Sequence, residues 1–145
     1  MNHTLFFQEG IWHAKGQYHD EEDRPVAAEG ETKITHLQGK WLNEGKLKLL
    51  GDNPAEFQNA YEIVPFKDGE DTTEWNSINS PLGTIRGKLM VIDDSIISVF
   101  RSEDGLYSGS EYMLQTDARN YKARGFLFRG DRKISSWSVE LHKAE

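Results

Sequence analysis

The sequence predicts an all-β fold: one domain over residues 1–145, built as a single antiparallel up-and-down β-barrel of eight to ten strands. Three observations predict it. Segment after segment alternates apolar or small residues with polar ones at period two, the pattern of a sheet wetted on one face. Turn signals recur every eight to twelve residues, the spacing of a sandwich or a barrel. No stretch reads as a long helix or a long crossover, so each strand can turn straight into the next. Closing such a sheet removes the edges that a flat one leaves open.

Residues 9–20 (EGIWHAKGQYHD) set the pattern. Trp12, Ala14, Gly16, Tyr18 and Asp20 share one face, and Ile11, His13, Lys15, Gln17 and His19 the other. Before them, Leu5-Phe6-Phe7 either caps one end or frays. The acidic run 20–23, closed by Pro25, is a solvated turn. Residues 26–37 put Ala28, Gly30, Thr32, Ile34 and His36 on one side. Residues 41–50 do the same with Trp41, Asn43, Gly45, Leu47 and Leu49. After the turn at 51–54, Phe57, Asn59, Tyr61 and Ile63 face away from Glu56, Gln58 and Glu62. The loop 66–71 (FKDGED) is acidic but lacks the remaining ligands of a calcium site. Residues 72–79 carry Trp75 and Ser77 on one face, and Pro81 ends that run. Residues 82–93 align Ile85, Gly87, Leu89 and Val91. Asp93-Asp94 and Asp104-Gly105 make tight reversals on either side of residues 95–103. Segments 106–116 and 121–128 follow, and Gly130-Asp131 turns the chain into 133–142, with Trp137, Val139 and Leu141 aligned. Glycines at 16, 30, 45, 87, 109 and 125 lie inside these strands, where they mark bends or bulges at barrel corners.

Composition narrows the function classes. The net charge is −7, and the cations are not clustered, which disfavours a nucleic-acid partner. The chain has no cysteine, so disulfides, thiolate metal sites and thiol nucleophiles are excluded. No run of apolar residues approaches a membrane span, and the N-terminus lacks the basic start of a signal peptide, so the expected location is cytoplasmic with no membrane partner. Scattered histidines give no metal-binding spacing, and no phosphate-binding or nucleophile motif occurs, so no metal or catalytic residue is assigned.

Gly10-Ile11-Trp12 at the start of the first strand resembles the G-x-W signature of the calycins, the superfamily of lipocalins, avidins and fatty-acid-binding proteins. The resemblance implies a barrel closed at one end by Gly10 and Trp12, with a basic residue near the last strand packed across the indole as a cation–π contact. Arg129, Arg132 and Lys133 are the candidates, with Arg132 preferred for its place at the start of that strand. Thr116-Asp117 faintly resembles the lipocalin T-D-Y turn, although Ala118 stands where the tyrosine would be. Nitrobindin-like haem barrels also begin with a G-x-W strand, but they need an axial histidine near the chain end. His142 falls on the polar face, so no cofactor is expected.

The inward set is unusual for a plain core. It joins Trp41, Tyr61 and Trp75 with His36, Asn43, Asn59 and Ser77, and with Tyr107 and Glu111 if the parity of that strand holds. Buried polar groups need partners, so these form either a satisfied network or a ligand cavity. The candidate ligand-binding residues are Tyr18, His36, Trp41, Asn43, Asn59, Tyr61, Trp75, Glu111 and Arg124. Glu111 is the sharpest: an inward carboxyl among aromatics has a raised pKa. It is either a ligand anchor or acid–base group, or half of a structural pair with Arg124, or simply outward-facing.

Three functions compete. The leading one is a binding protein for a small hydrophobic or aromatic molecule. The second is a barrel enzyme, a decarboxylase or isomerase, which requires a carboxylate and a phenol or imidazole within hydrogen-bond reach in the cavity. The third is an interaction protein with a filled barrel, with residues 95–101 (SIISVFR), apolar on both faces, best suited to a homodimer contact.

Overall fold

In the computed structural model, which describes residues 2–78 and 80–145, ten strands run in sequence: β1 (Gly10–His19), β2 (Pro25–Leu37), β3 (Lys40–Leu49), β4 (Ala55–Ile63), β5 (Thr72–Ser77), β6 (Ile85–Ile92), β7 (Ser95–Ser102), β8 (Tyr107–Asp117), β9 (Asn120–Arg129) and β10 (Arg132–Lys143). Each pairs antiparallel with the next, and β1 pairs with β10 to close the barrel. The expected strand over 72–79 ends at Ser77, and Asn79 lies outside the described residues. The alternation read from the sequence sets the faces: Trp12, Ala28, Ile34, Ile63, Trp75 and Leu89 are buried inside. Asp104-Gly105 turns with the glycine at φ +79°, and the Asp104 carboxylate accepts the Leu106 N–H at 3.0 Å.

The interior glycines do two jobs. At Gly16 and Gly30 a Cβ would lie 2.0 Å and 2.1 Å from the backbone oxygens of Ser138 and Lys46, so here the walls close to backbone contact, as at a barrel corner. Gly87 and Gly125 instead lie under aromatic rings, where a Cβ would stand 2.4 Å from Trp75 and 2.3 Å from Trp137. Gly109 meets both, the Phe126 backbone oxygen at 2.3 Å and the Phe100 ring at 2.6 Å. Gly87 and Gly125 are seats for side chains.

One end of the barrel is plugged. The segment before β1 folds back as a turn, with the Gln8 N–H bonded to the Thr4 carbonyl at 3.0 Å, and it buries Leu5 and Phe6. The Tyr121 hydroxyl accepts the Thr4 N–H at 3.1 Å, and the His36 ring Nε2 lies 2.7 Å from the Phe6 carbonyl oxygen. Phe6 itself is held at φ +70°, a conformation that bulky residues avoid unless their surroundings impose it. The cap, and not the frayed terminus, is therefore the outcome for Leu5-Phe6-Phe7.

Trp12 is fully buried at this plugged end, with Tyr121 edge-on at 5.5 Å. None of Arg129, Arg132 and Lys133 reaches it. Trp12 faces Lys143 at the far end of β10, whereas Arg132 begins that strand and pairs with Glu21. Arg129 lies over the Tyr107 ring at 5.9 Å, and Lys133 bonds Asp23 at 3.2 Å. The expected cation–π closure by Arg132 is thus corrected. It placed the base near the last strand in sequence, but an antiparallel strand as long as β10 carries its first residue to the opposite rim.

Candidate functional site

Above the plug, the barrel encloses a cavity of about 480 Å³. Leu5 and Phe6 form its floor. Its walls include Tyr61, Trp75, Phe100, Glu111, Met113 and Trp137, and Ile78, Ser80, Pro81 and Leu82 lie at its rim. The volume and mainly apolar lining are those of a small-molecule pocket. The filled-barrel reading therefore does not describe this interior.

The centre of the site is built by two matching clasps. Trp75 on β5 lies across Gly87 of β6, and its indole N–H donates to the Ser98 hydroxyl on β7 at 3.0 Å. From the other side, Trp137 on β10 lies across Gly125 of β9, and its indole N–H donates to the Glu111 carboxylate on β8 at 2.6 Å. Ser98 and Glu111 are direct cross-strand partners. Two indoles, each lying over a glycine of the intervening strand, thus converge on one polar pair in an apolar wall. Tyr61 stands edge-on to Trp75 at 4.7 Å and faces the same space.

Burial pushes the Glu111 carboxyl above the usual carboxylate range, and the Trp137 hydrogen bond opposes this only in part. Burial also raises the Tyr61 phenol, and the nearby Glu111 charge adds to the effect, so the phenol stays neutral. A carboxyl that titrates higher in the folded chain than in the unfolded one gives its full stability below the unfolded pKa and loses it as pH rises through the folded value. Glu111→Gln keeps an acceptor for Trp137 but cannot ionise. The variant is therefore expected to be more stable than the parent at pH 8 and equal to it near pH 4. The gap should be about 1.4 kcal/mol for each pH unit of the upward displacement. Urea midpoints at the two pH values check this, and a gap that does not change with pH would contradict it.

The other expected site residues divide into three groups. Tyr18, Asn43, Asn59, Tyr61, Trp75 and Glu111 all line the cavity. Tyr18 lies tilted against Phe57 at 5.7 Å toward the open end, and Asn43 is bonded to the Thr32 hydroxyl. His36 and Trp41 face inward but belong to the plug: their rings stack at 4.4 Å, and Trp41 also packs on Phe7 at 5.6 Å. Arg124 is corrected outright. It lies on the outer wall between inward Ala123 and Gly125, with its guanidinium bonded to the Ala123 carbonyl at 2.9 Å, so it neither lines the cavity nor pairs with Glu111. The true partner, Trp137, was aligned inward with Val139 and Leu141 by period two, yet nothing along the sequence ties it to Glu111. The glycine seats carry that link, and they show only when strands are laid side by side.

No imidazole lines the cavity, and no hydrogen bond joins Glu111 to Tyr61 among the described residues. His142, on the outer wall, bonds Asn120 at 2.8 Å. Among the described residues, no cluster of three His, Asp or Glu is placed to hold a metal, and no helix is long and apolar enough to cross a membrane.

No protein-family model matches the chain, and no curated protein matches it by sequence. Solved structures do match over nearly its whole length. The S-type phycobiliprotein lyase CPES from Guillardia theta superposes with a TM-score of 0.68 at 10% identity, covering 97% of this chain and 90% of that one. Rv2717c from M. tuberculosis gives a TM-score of 0.68 at 13% identity, covering 94% and 92%. Both are lipocalin-type barrels. The fold is calycin-like. At such low identity the likeness concerns the path of the backbone alone, and a calycin-like barrel hosts many chemistries, so function has to be argued from the cavity.

Proposed function

We propose that this calycin-like barrel binds a small, largely apolar or aromatic molecule in its interior. One observation carries the reading: a cavity of about 480 Å³ with an aromatic and aliphatic lining, interrupted by a few fixed polar groups. Affinity comes from contact with Tyr61, Trp75, Phe100 and Trp137, and orientation from Ser98 and Glu111. The plug closes one end, so entry is from the opposite rim. The lyase that shares the fold acts on phycobiliproteins, and an internal ligand site is consistent with that neighbour.

An enzyme is the weaker reading, because it lacks an acid–base pair within bonding reach. The face first suggested for a homodimer, the outer side of β7, sets exposed Val99 beside exposed Arg101, with Arg86 and Lys88 on the adjoining β6, so it is basic as well as apolar. The work of the protein is read as cytoplasmic, without nucleic acid or membrane.

Titration with 1-methylnaphthalene, followed through tryptophan emission, tests the reading. One saturable site is expected, weakened at least about tenfold in Ala14→Phe, which fills the cavity from β1. Absence of saturable binding, or equal binding by a folded Ala14→Phe, would sink it.

A further inference from the structure

The polar groups of the cavity are not interchangeable. The Thr32 hydroxyl donates to Asn43 Oδ1, the Ser98 hydroxyl already accepts from Trp75, and the Tyr61 and Ser135 hydroxyls at the cavity can each turn to donate or to accept. Glu111 differs. Trp137 occupies only Oε2, Oε1 has no hydrogen-bond partner among the described residues, and the residue lines the cavity. Ionised, such a carboxylate oxygen in an apolar wall accepts a donor and repels an acceptor, and an N–H set against it favours the ionised form over the neutral one. Among the described residues the interior also holds no cation to receive an anionic group, and the one basic residue at the cavity, Lys46, sits on the outward side of β3 and pairs with Glu31 at 3.7 Å. A carboxylate-bearing ligand would therefore enter a site with no counter-charge and with Glu111 at its centre.

Resting on the proposed binding function, we infer that the cavity selects a ligand bearing a nitrogen-bound hydrogen, an aromatic amine or an N–H heterocycle, which it presents to Oε1 of Glu111. The ring lies among Trp75, Trp137 and Phe100, and its N–H completes the hydrogen bonding that Trp137 leaves half made. Glu111 then determines specificity by what it accepts, and Trp137 positions it through Oε2. The clasp geometry supports this: an indole locked over Gly125 fixes which carboxylate oxygen is left for the ligand.

Three naphthalenes of nearly equal size test it: 1-aminonaphthalene, 1-methylnaphthalene and 1-naphthoate. Each is titrated into the parent protein and into Glu111→Gln at pH 7. In the parent, the amine should bind at least about tenfold more tightly than the methyl compound, and the naphthoate at least about tenfold more weakly than it. In Glu111→Gln, the amine preference should fall to about threefold or less while naphthoate binding recovers. A residue that only held the wall together would weaken all three alike. Equal binding of amine and methyl compounds by the parent, or tightest binding of the naphthoate, overturns the inference and leaves the binding function standing. Failure of all three to bind removes both. The parent protein's own preference decides the matter even if the variant does not fold.

Discussion

Gly125→Ala is expected to destabilise the protein by about 2–6 kcal/mol and to release Trp137 from Glu111. A Cβ at this position would stand 2.3 Å from two carbons of the Trp137 indole and 2.6 Å from its nitrogen. The atoms it meets belong to a rigid ring that lines the cavity, so the ring as a whole must lift into that space. Overpacking of this kind costs about 1–3 kcal/mol. Lifting the ring also takes the donor from a buried carboxyl, which adds about 1–3 kcal/mol. Urea unfolding measures the first effect, and the Trp137 indole N–H resonance reports the second. A loss under about 1 kcal/mol with that resonance unmoved would mean that the glycine is not a seat for the ring.

Trp12→Ala is the second large effect, a loss of about 3–5 kcal/mol. The side chain is fully buried beneath Tyr121 at the plugged end, and no neighbour can fill the space that it leaves without breaking the ties of the plug. Trp12→Phe should cost far less, about 1.5 kcal/mol or below. It keeps most of the apolar volume and removes an indole N–H that is buried without a hydrogen-bond partner. Arg132→Ala should change stability by no more than about 0.5 kcal/mol, since its exposed pair with Glu21 lies at the other rim. Thermal or urea unfolding of the three variants separates closure by packing from closure by a cation. Comparable losses for Trp12→Ala and Arg132→Ala would restore the cation–π account.

Why the wall was legible and the site only partly so follows from what a strand encodes. Period two is a local property, so the inward faces of β1 through β6 could be read from alternation, and with them Tyr18, Asn43, Tyr61 and Trp75. Position along the barrel axis is not local. His36 and Trp41 face inward as expected, yet they lie at the plug because β2 ends and β3 begins there. Arg124 was chosen for its charge, although the alternation of β9 puts it outside between Ala123 and Gly125. Ser98 stayed hidden because β7 is apolar on both faces, which blunts the parity signal. Trp137 and Glu111 are 26 residues apart, joined only by the lateral order β8–β9–β10. The glycines at 87, 109 and 125 were visible, but as bends. The rings that they accommodate come from other strands.

The central claim is that ligands enter the space between the two clasps and not the plugged end. The four tryptophan indole N–H groups report on this directly: Trp75 and Trp137 line the cavity, whereas Trp12 and Trp41 lie at the plug. A two-dimensional ¹⁵N NMR titration with 1-aminonaphthalene should shift the Trp75 and Trp137 indole signals in step with binding and leave the Trp12 signal in place. Shifts confined to Trp12 and Trp41, or no indole shift at saturation, would contradict the account.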